Sequence, residues 1–305
     1  MPISVILDTD IGTDVDDCLA LALLLSSPEL QLEAVTCVYG DTTLRSRMVL
    51  KLLQLRGLNP IPVYAGAQKP LTSQRAIYWI GHEGQGLVDP ADTSLQPAAE
   101  FAPDFIVRHV MSHPGQIHLI AIGPLTNMAL AFQQEPRLAQ NLAHLTIMGG
   151  VVRSIDRLDL PFAEHNIVCD PEAAKIVFES GAPITLVPLD ITTQVHVNRE
   201  GWQQIQQAGS PFQLAVADQL ARYPHFQIQG RTNLHDPLAV AVILDPTLVT
   251  LQKVIVEVAT STDPVPAQTL MRLPKDNEVA TIQLATHVDI DRFERFFIER
   301  VAHPI

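Results

Sequence analysis

No lysine or arginine occurs between Met1 and Leu44, although eight acids do. Nothing close in sequence therefore neutralises the carboxylates of "DTDIGTDVDD", which are Asp8, Asp10, Asp14, Asp16 and Asp17. Bases are sparse overall, 20 against 33 acids for a net charge of -13. With no local basic patch, that balance repels a nucleic-acid backbone or an anionic membrane. Cysteine is scarce as well. Cys18, Cys37 and Cys169 lie in apolar surroundings without paired or metal-like spacing, which excludes a disulfide framework and reads as buried thiols in a reducing compartment. The longest apolar run, Cys18 to Leu25, is too short to cross a bilayer, and the first residues lack the n- and h-regions of a signal peptide. A cytoplasmic protein is the expectation. No internal repeat, low-complexity tract or linker interrupts the chain.

What is present is a hydrophobic fraction of 47% in 305 residues, enough for one α/β domain spanning residues 1–305. "ISVIL" (Ile3 to Leu7) is a short β-branched run that reads as a buried parallel strand, with Asp8 and Asp10 at its carboxyl end. From Asp16, "DDCLALALLLSS" reads as a buried helix ending at Ser-Pro. Strand and helix patterns then alternate as far as "PITLVPL" (Pro183 to Leu189). Such alternation predicts an open, mostly parallel sheet flanked by helices. The Gly/Pro/Asp-rich segments Gly66 to Pro97 and Gly149 to Pro161 follow strand ends, where open α/β sheets place ligands. "DRFERFFIER" reads as a final amphipathic helix.

Capping explains one or two of the clustered acids, because Asp is favoured at a helix N-terminus and that terminus attracts anions. Several carboxylates crowded together raise one another's pKa, and keeping them ionised needs a stronger counter-charge. Oxygen ligands with no supporting His or Cys point to a hard divalent cation, Ca²⁺ or Mg²⁺, and away from zinc. Further ligands must come from elsewhere. "GPLTN" (Gly123 to Asn127) offers Thr126, and "NLHDPLAVA" (Asn233 to Ala241) offers His235 and Asp236, although each also suits an ordinary helix start.

Asp-x-Asp-x-Gly with a later Asp-Asp, then "GPLTN", "MGG", "AEHNIVCDPEAA" and "HDPLAVA", in this order over nearly the whole chain, resembles the inosine/uridine-preferring nucleoside hydrolase family. The resemblance implies a Rossmann-like fold, a Ca²⁺ ion at the carboxyl ends of the strands, and hydrolysis of the N-glycosidic bond of ribonucleosides. It implies Asp10, Asp17, Thr126 and Asp236 as metal ligands. Asp10 is also the implied base that takes a proton from a metal-bound water, which then attacks C1′ with inversion. Bond breaking running ahead of attack gives an oxocarbenium-like transition state. Asp16, Glu164 and Asn166 resemble the residues that hold the ribose, Met148 of "MGG" lines the same implied site, and His235 resembles the histidine that protonates the leaving base, with a pKa near neutrality. His82, among Gly81, Gly84 and Gly86, is similar to the histidine of a mobile covering loop. Tyr223, His225 and Phe226 are candidates either to contact the base or to pack in the core. A homodimer or homotetramer is also implied.

The chain departs from the family pattern. Ile11 replaces the common Pro, and two extra residues widen the turn, so Asp14 either shares the sugar-binding role of Asp16 or caps the helix. Asp41 stands where many members carry Asn, adding an acid to the expected pocket. Val152 to Phe162 contains no Asn, with Asp156, Arg157 or Asp159 as substitutes, and His165 replaces an aromatic Phe. Two other readings are a haloacid dehalogenase-type phosphatase, in which the first Asp of the Asp-x-Asp pair attacks phosphate, and a nucleoside or ribose sensor without turnover.

Overall fold

The computed structural model describes residues 2–58, 61–72, 75–89, 93–260 and 266–303. Eleven strands occur among them: β1 (Ile3–Thr9), β2 (Leu30–Cys37), β3 (Val63–Ala65), β4 (Ile117–Ala121), β5 (His144–Met148), β6 (Ile184–Val187), β7 (His196–Asn198), β8 (Arg231–Asn233), β9 (Val249–Val258), β10 (Thr269–Arg272) and β11 (Ile282–Val288). Nine form one sheet in the order β10-β9-β11-β6-β5-β4-β1-β2-β3, while β7 and β8 pair separately. From β11 to β3 every neighbouring pair is parallel. The alternation read from the sequence is therefore realised as the mostly parallel sheet expected. The exception lies at the edge, where β9 runs antiparallel to both β11 and β10.

β1 shows why a continuous apolar run becomes a central strand. Val5 and Leu7 join one buried cluster and Ile6 the other, because successive side chains leave a strand on opposite faces. Helices cover both faces, so both sets are dry and no polar alternation is needed. The helices Asp16–Leu25 and His235–Leu244 are apolar nearly all round, are buried, and pack against each other. The final helix, Ile290–Ala302, buries Phe293, Phe297 and Val301 and leaves its charged side outward. The three thiols are buried and unpaired. Burial pushes Cys18, Cys37 and Cys169 up to about 12. Among the described residues no helix is long and apolar enough to cross a membrane.

The chain leaves β1 for β2 and β3 on one side, then returns to β4, β5 and β6 on the other. The order thus reverses between β1 and β4, and a crevice lined by Asp10 and Ile122 lies just beyond the carboxyl ends of those strands. Ligands of open α/β sheets bind there.

At the opposite ends of the strands, His118 of β4 and His144 of β5 are register partners with ring centroids 5.7 Å apart. Burial pushes the His144 imidazole down to about 4, with His118 adding to the effect. An unfolded His titrates near 6.5, so the unfolded chain binds more protons from about pH 6.5 down to about 4, and stability rises with pH across that window. With partial solvent exposure discounted, acidification through this range is expected to remove about 1–2 kcal/mol. His144→Asn should flatten the pH dependence of the urea midpoint there. An unchanged slope would reject the assignment.

Candidate active site

Residues 8–17 occupy the end of β1 and the turn that follows it. The first acid turns inward. Asp8 is fully buried, accepting from Thr36 Oγ1 at 2.5 Å and from Asn127 Nδ2 at 2.7 Å, while its Oδ2 has no hydrogen-bond partner. Burial pushes its carboxyl up to about 7. A phosphatase nucleophile must face the substrate, and Asp8 faces the β1–β2 joint instead. Asn127 also accepts from Ala67 N at 2.9 Å, so the "GPLTN" asparagine ties β1, β2 and the segment after β3 together. Gly66 permits this approach, because a Cβ there would collide with the Asn127 side-chain amide; Gly123 likewise leaves room for Asp10, whose Oδ1 would stand 2.8 Å from a Cβ there.

The turn after Asp10 delivers the chain into the helix Asp16–Leu25, whose N-cap position, Val15, provides no side-chain cap. Asp16 and Asp17 occupy the first turn, and the Thr9 hydroxyl donates to Asp17. Asp236 occupies the first turn of the helix His235–Leu244, which begins just after β8. Because the two helices pack together with their N-termini at the crevice, carboxylate oxygens of Asp16, Asp17 and Asp236 lie within 4.8 Å of one another. All three side chains are buried, and burial raises each carboxyl well above the usual range, with mutual repulsion adding to it. Helix N-termini supply partial positive charge only. A hard divalent cation fits this all-oxygen donor set and removes the repulsion.

These acids line a cavity of about 510 Å³ together with Asp10, Met148, Glu164, Asn166, Tyr223 and His235. Glu164 caps its short helix through Asn166 N and Ile167 N and also accepts from Gly150 N. Asn166 Nδ2 donates to Ile122 O at 2.9 Å and Met148 O at 3.3 Å. The "MGG" and "EHN" motifs are thus bound to each other across the ends of β4 and β5.

Thr126 opens the helix Thr126–Gln134, and its hydroxyl donates to the buried Asp170 at 2.7 Å. The hydroxyl is therefore engaged there, which leaves the backbone carbonyl as the oxygen Thr126 can offer to an ion. Asp14 does not cap the helix, whose N-cap is Val15, and it lines the main cavity. It accepts from Val15 N at 2.6 Å and from the Tyr223 hydroxyl at 2.7 Å, and it stands between the main cavity and a neighbouring one of about 310 Å³. His82 lines that second cavity, with Nε2 2.9 Å from Thr13 O.

Two expectations need correcting. Asp41 adds no acid to the pocket: it is exposed and caps the helix Thr42–Arg56 through Leu44 N at 2.9 Å. His235 does not titrate near neutrality, because burial pushes its imidazole down to about 4. Its Nδ1 lies 2.8 Å from Thr192 Oγ1, and Asn233 Nδ2 donates to Nε2 at 3.0 Å.

Sequence reasoning also missed residues. Tyr78 and Ile80 line the main cavity, beside His165, which the sequence marks as a departure from the family pattern. More consequential is Arg45, one position beyond the stretch without bases, whose Nη2 lies 4.0 Å from Asp10 Oδ2. The Asp cap at position 41 was its only signal, since it starts the helix that carries residue 45 inward.

Comparison with known proteins bears on this arrangement. The family model "Inosine-uridine preferring nucleoside hydrolase" matches residues 5–295. The chain is 37% identical over 261 residues to the pyrimidine-specific ribonucleoside hydrolase RihA of Citrobacter koseri, covering 82% of each. It is 31% identical to the inosine-uridine preferring nucleoside hydrolase of Leishmania major, with both covered completely. Among solved structures, a plant nucleoside hydrolase, PpNRh1, superposes with a TM-score of 0.87 at 31% identity over all of both chains. The purine-preferring ribonucleoside hydrolase of Gardnerella vaginalis gives 0.85 at 31% identity over 98% of each. The strand order, the crevice at its reversal and the acids gathered there agree with these matches: the chain belongs to the inosine-uridine preferring nucleoside hydrolase family, a family of N-glycosyl hydrolases.

Proposed function

We propose that this protein hydrolyses the N-glycosidic bond of ribonucleosides with a bound Ca²⁺, releasing ribose and free base. The observation that carries the reading is the convergence of Asp16, Asp17 and Asp236 within 4.8 Å in a cavity that also holds Asp10, Glu164, Asn166 and His235. Asp10, Asp17 and Asp236, with the carbonyl of Thr126, are the ligands in this reading. A cation held by these residues would supply the positive charge that makes a water a stronger acid and that favours the sugar hydroxyls at this end of the cavity.

The chain's own groups do the rest. Asp10 accepts the proton of the attacking water as its oxygen bonds to C1′, and the C1′–N electron pair leaves with the base. Asp16, Glu164 and Asn166 orient the ribose, and Glu164 and Asn166 are held still by backbone hydrogen bonds. Met148 and Tyr223 bound the site, with His82 at its side cavity. A neutral His235 acts at the leaving base by relaying a proton from solvent. We take the protein to be a cytoplasmic homodimer or homotetramer, and its unpaired thiols support the reducing setting.

The test is a panel of purine and pyrimidine ribonucleosides assayed for reducing sugar, since the names of the relatives divide between the two base classes. Sugar is expected from at least one nucleoside, and chelator should suppress it. Binding without sugar release makes the protein a sensor instead, and phosphate release from monoesters makes it a phosphatase.

A further inference from the structure

Arg45 is 0% exposed, and the roles proposed above leave it unused. Three of its N–H groups are engaged by Tyr39 and by the turn at Ile11–Thr13. Nε donates to Tyr39 O at 2.6 Å, Nη1 to Ile11 O at 2.7 Å, and Nη2 to Thr13 Oγ1 at 3.1 Å. Nη2 also lies 4.0 Å from Asp10 Oδ2, and Trp79 covers the group with its ring centroid 5.0 Å from Cζ. Tyr39, which supplies one acceptor, has φ of 65°, a conformation non-glycine residues adopt only when surrounding contacts enforce it. A guanidinium is the one basic group that stays charged in such a place, and its planar fork fixes several acceptors at once. It therefore does two things to its neighbours: it sets the path of Ile11–Thr13, and it places one permanent positive charge against Asp10, close enough to act on Asp17 as well.

We propose that Arg45 is a positioning residue and resident counter-charge, holding the Asp10 carboxylate toward the attacking water and offsetting part of the acidic field that grips the cation. This rests on the Ca²⁺-dependent reading above. The two actions separate in sign. Losing the charge strengthens the field on the cation, whereas losing the fork turns the Asp10 carboxylate away from the attacking water by a rotation that keeps one of its oxygens on the cation.

The test compares Arg45→Gln and Arg45→Lys with the wild type by calorimetric Ca²⁺ titration and by steady-state kinetics on the best nucleoside of the panel. Arg45→Gln is expected to bind Ca²⁺ about tenfold more tightly, because a like charge has gone from a poorly screened site. Its kcat should fall about 100-fold with KM within about threefold, the pattern of a lost transition-state interaction. Arg45→Lys keeps the charge without the fork: its Ca²⁺ affinity should stay within about threefold of wild type while kcat falls about tenfold. A merely structural arginine would weaken Ca²⁺ binding and kcat together in both variants, and that result overturns the proposal. So does wild-type behaviour of Arg45→Gln. If Arg45→Gln does not fold, Arg45→Lys still decides, because Ca²⁺ binding weakened more than about tenfold, or an unchanged kcat, contradicts the proposal. A wild type that binds no Ca²⁺ and cleaves no nucleoside brings down the functional reading and this proposal together. A wild type that does both, beside a Gln variant like it, brings down this one alone.

Discussion

Asp10→Asn is expected to lower kcat by at least about 10³-fold on the preferred nucleoside, measured as reducing sugar released at saturating Ca²⁺ and substrate. The size follows from two losses at one atom pair. The amide accepts no proton from water at neutral pH, and it is a poorer ligand than a carboxylate for a hard cation. The fold should survive. The side chain borders the cavity and does not fill the core, and removing one charge from a crowded acidic site relieves repulsion. Arg45 loses its ionic neighbour but keeps its three other hydrogen bonds. A variant with a melting temperature near wild type and turnover within tenfold of it would defeat the assignment of Asp10 as the base.

Metal removal should have an effect of similar size on activity and a second effect on stability. Asp16, Asp17 and Asp236 are raised well above the ordinary carboxylate range by burial, which states in another form that an ionised cluster is unfavourable without a partner. Dialysis against chelator is expected to abolish turnover and lower the melting temperature by about 4 °C. This corresponds to about 2.7 kcal/mol of stabilisation at a free cation concentration 100 times Kd. Adding Ca²⁺ back should restore both. Asp236→Asn supplies the control of opposite sign. Without cation it should melt above the metal-free wild type, because one of three repelling carboxylates is gone, and with cation below the loaded wild type, because a ligand is gone. Melting curves that ignore both chelator and Asp236→Asn are incompatible with a cation held at these residues.

Much of this was legible in the chain. β1 announces itself as a buried parallel strand because Val5, Ile6 and Leu7 are all apolar, which only a strand covered on both faces tolerates. The helix after it is readable for the same reason, and the acids between the two must sit at a strand's carboxyl end, where such folds bind ligands. Less legible was the sheet edge, since β9 to β11 leave no alternation with helices and their antiparallel pairing is set by long-range packing. Asp41 illustrates a different limit. Its residue type suits a pocket and a helix cap equally, and the direction of the helix Thr42–Arg56 chose the cap.

The linear order of residues determined the repeating strand and helix periods, the family, and a surplus of acid that calls for a counter-charge. Those properties are local or additive, so they survive without coordinates. Tertiary structure alone decided which charges meet. Asp236 reaches Asp16 and Asp17 because two apolar helices pack side by side with their N-termini in register, and Arg45 reaches Asp10 because a helix following β2 turns that residue inward. It also decided that His235 is neutral, since the cost of burying charge depends on what surrounds a group and not on its neighbours in the chain.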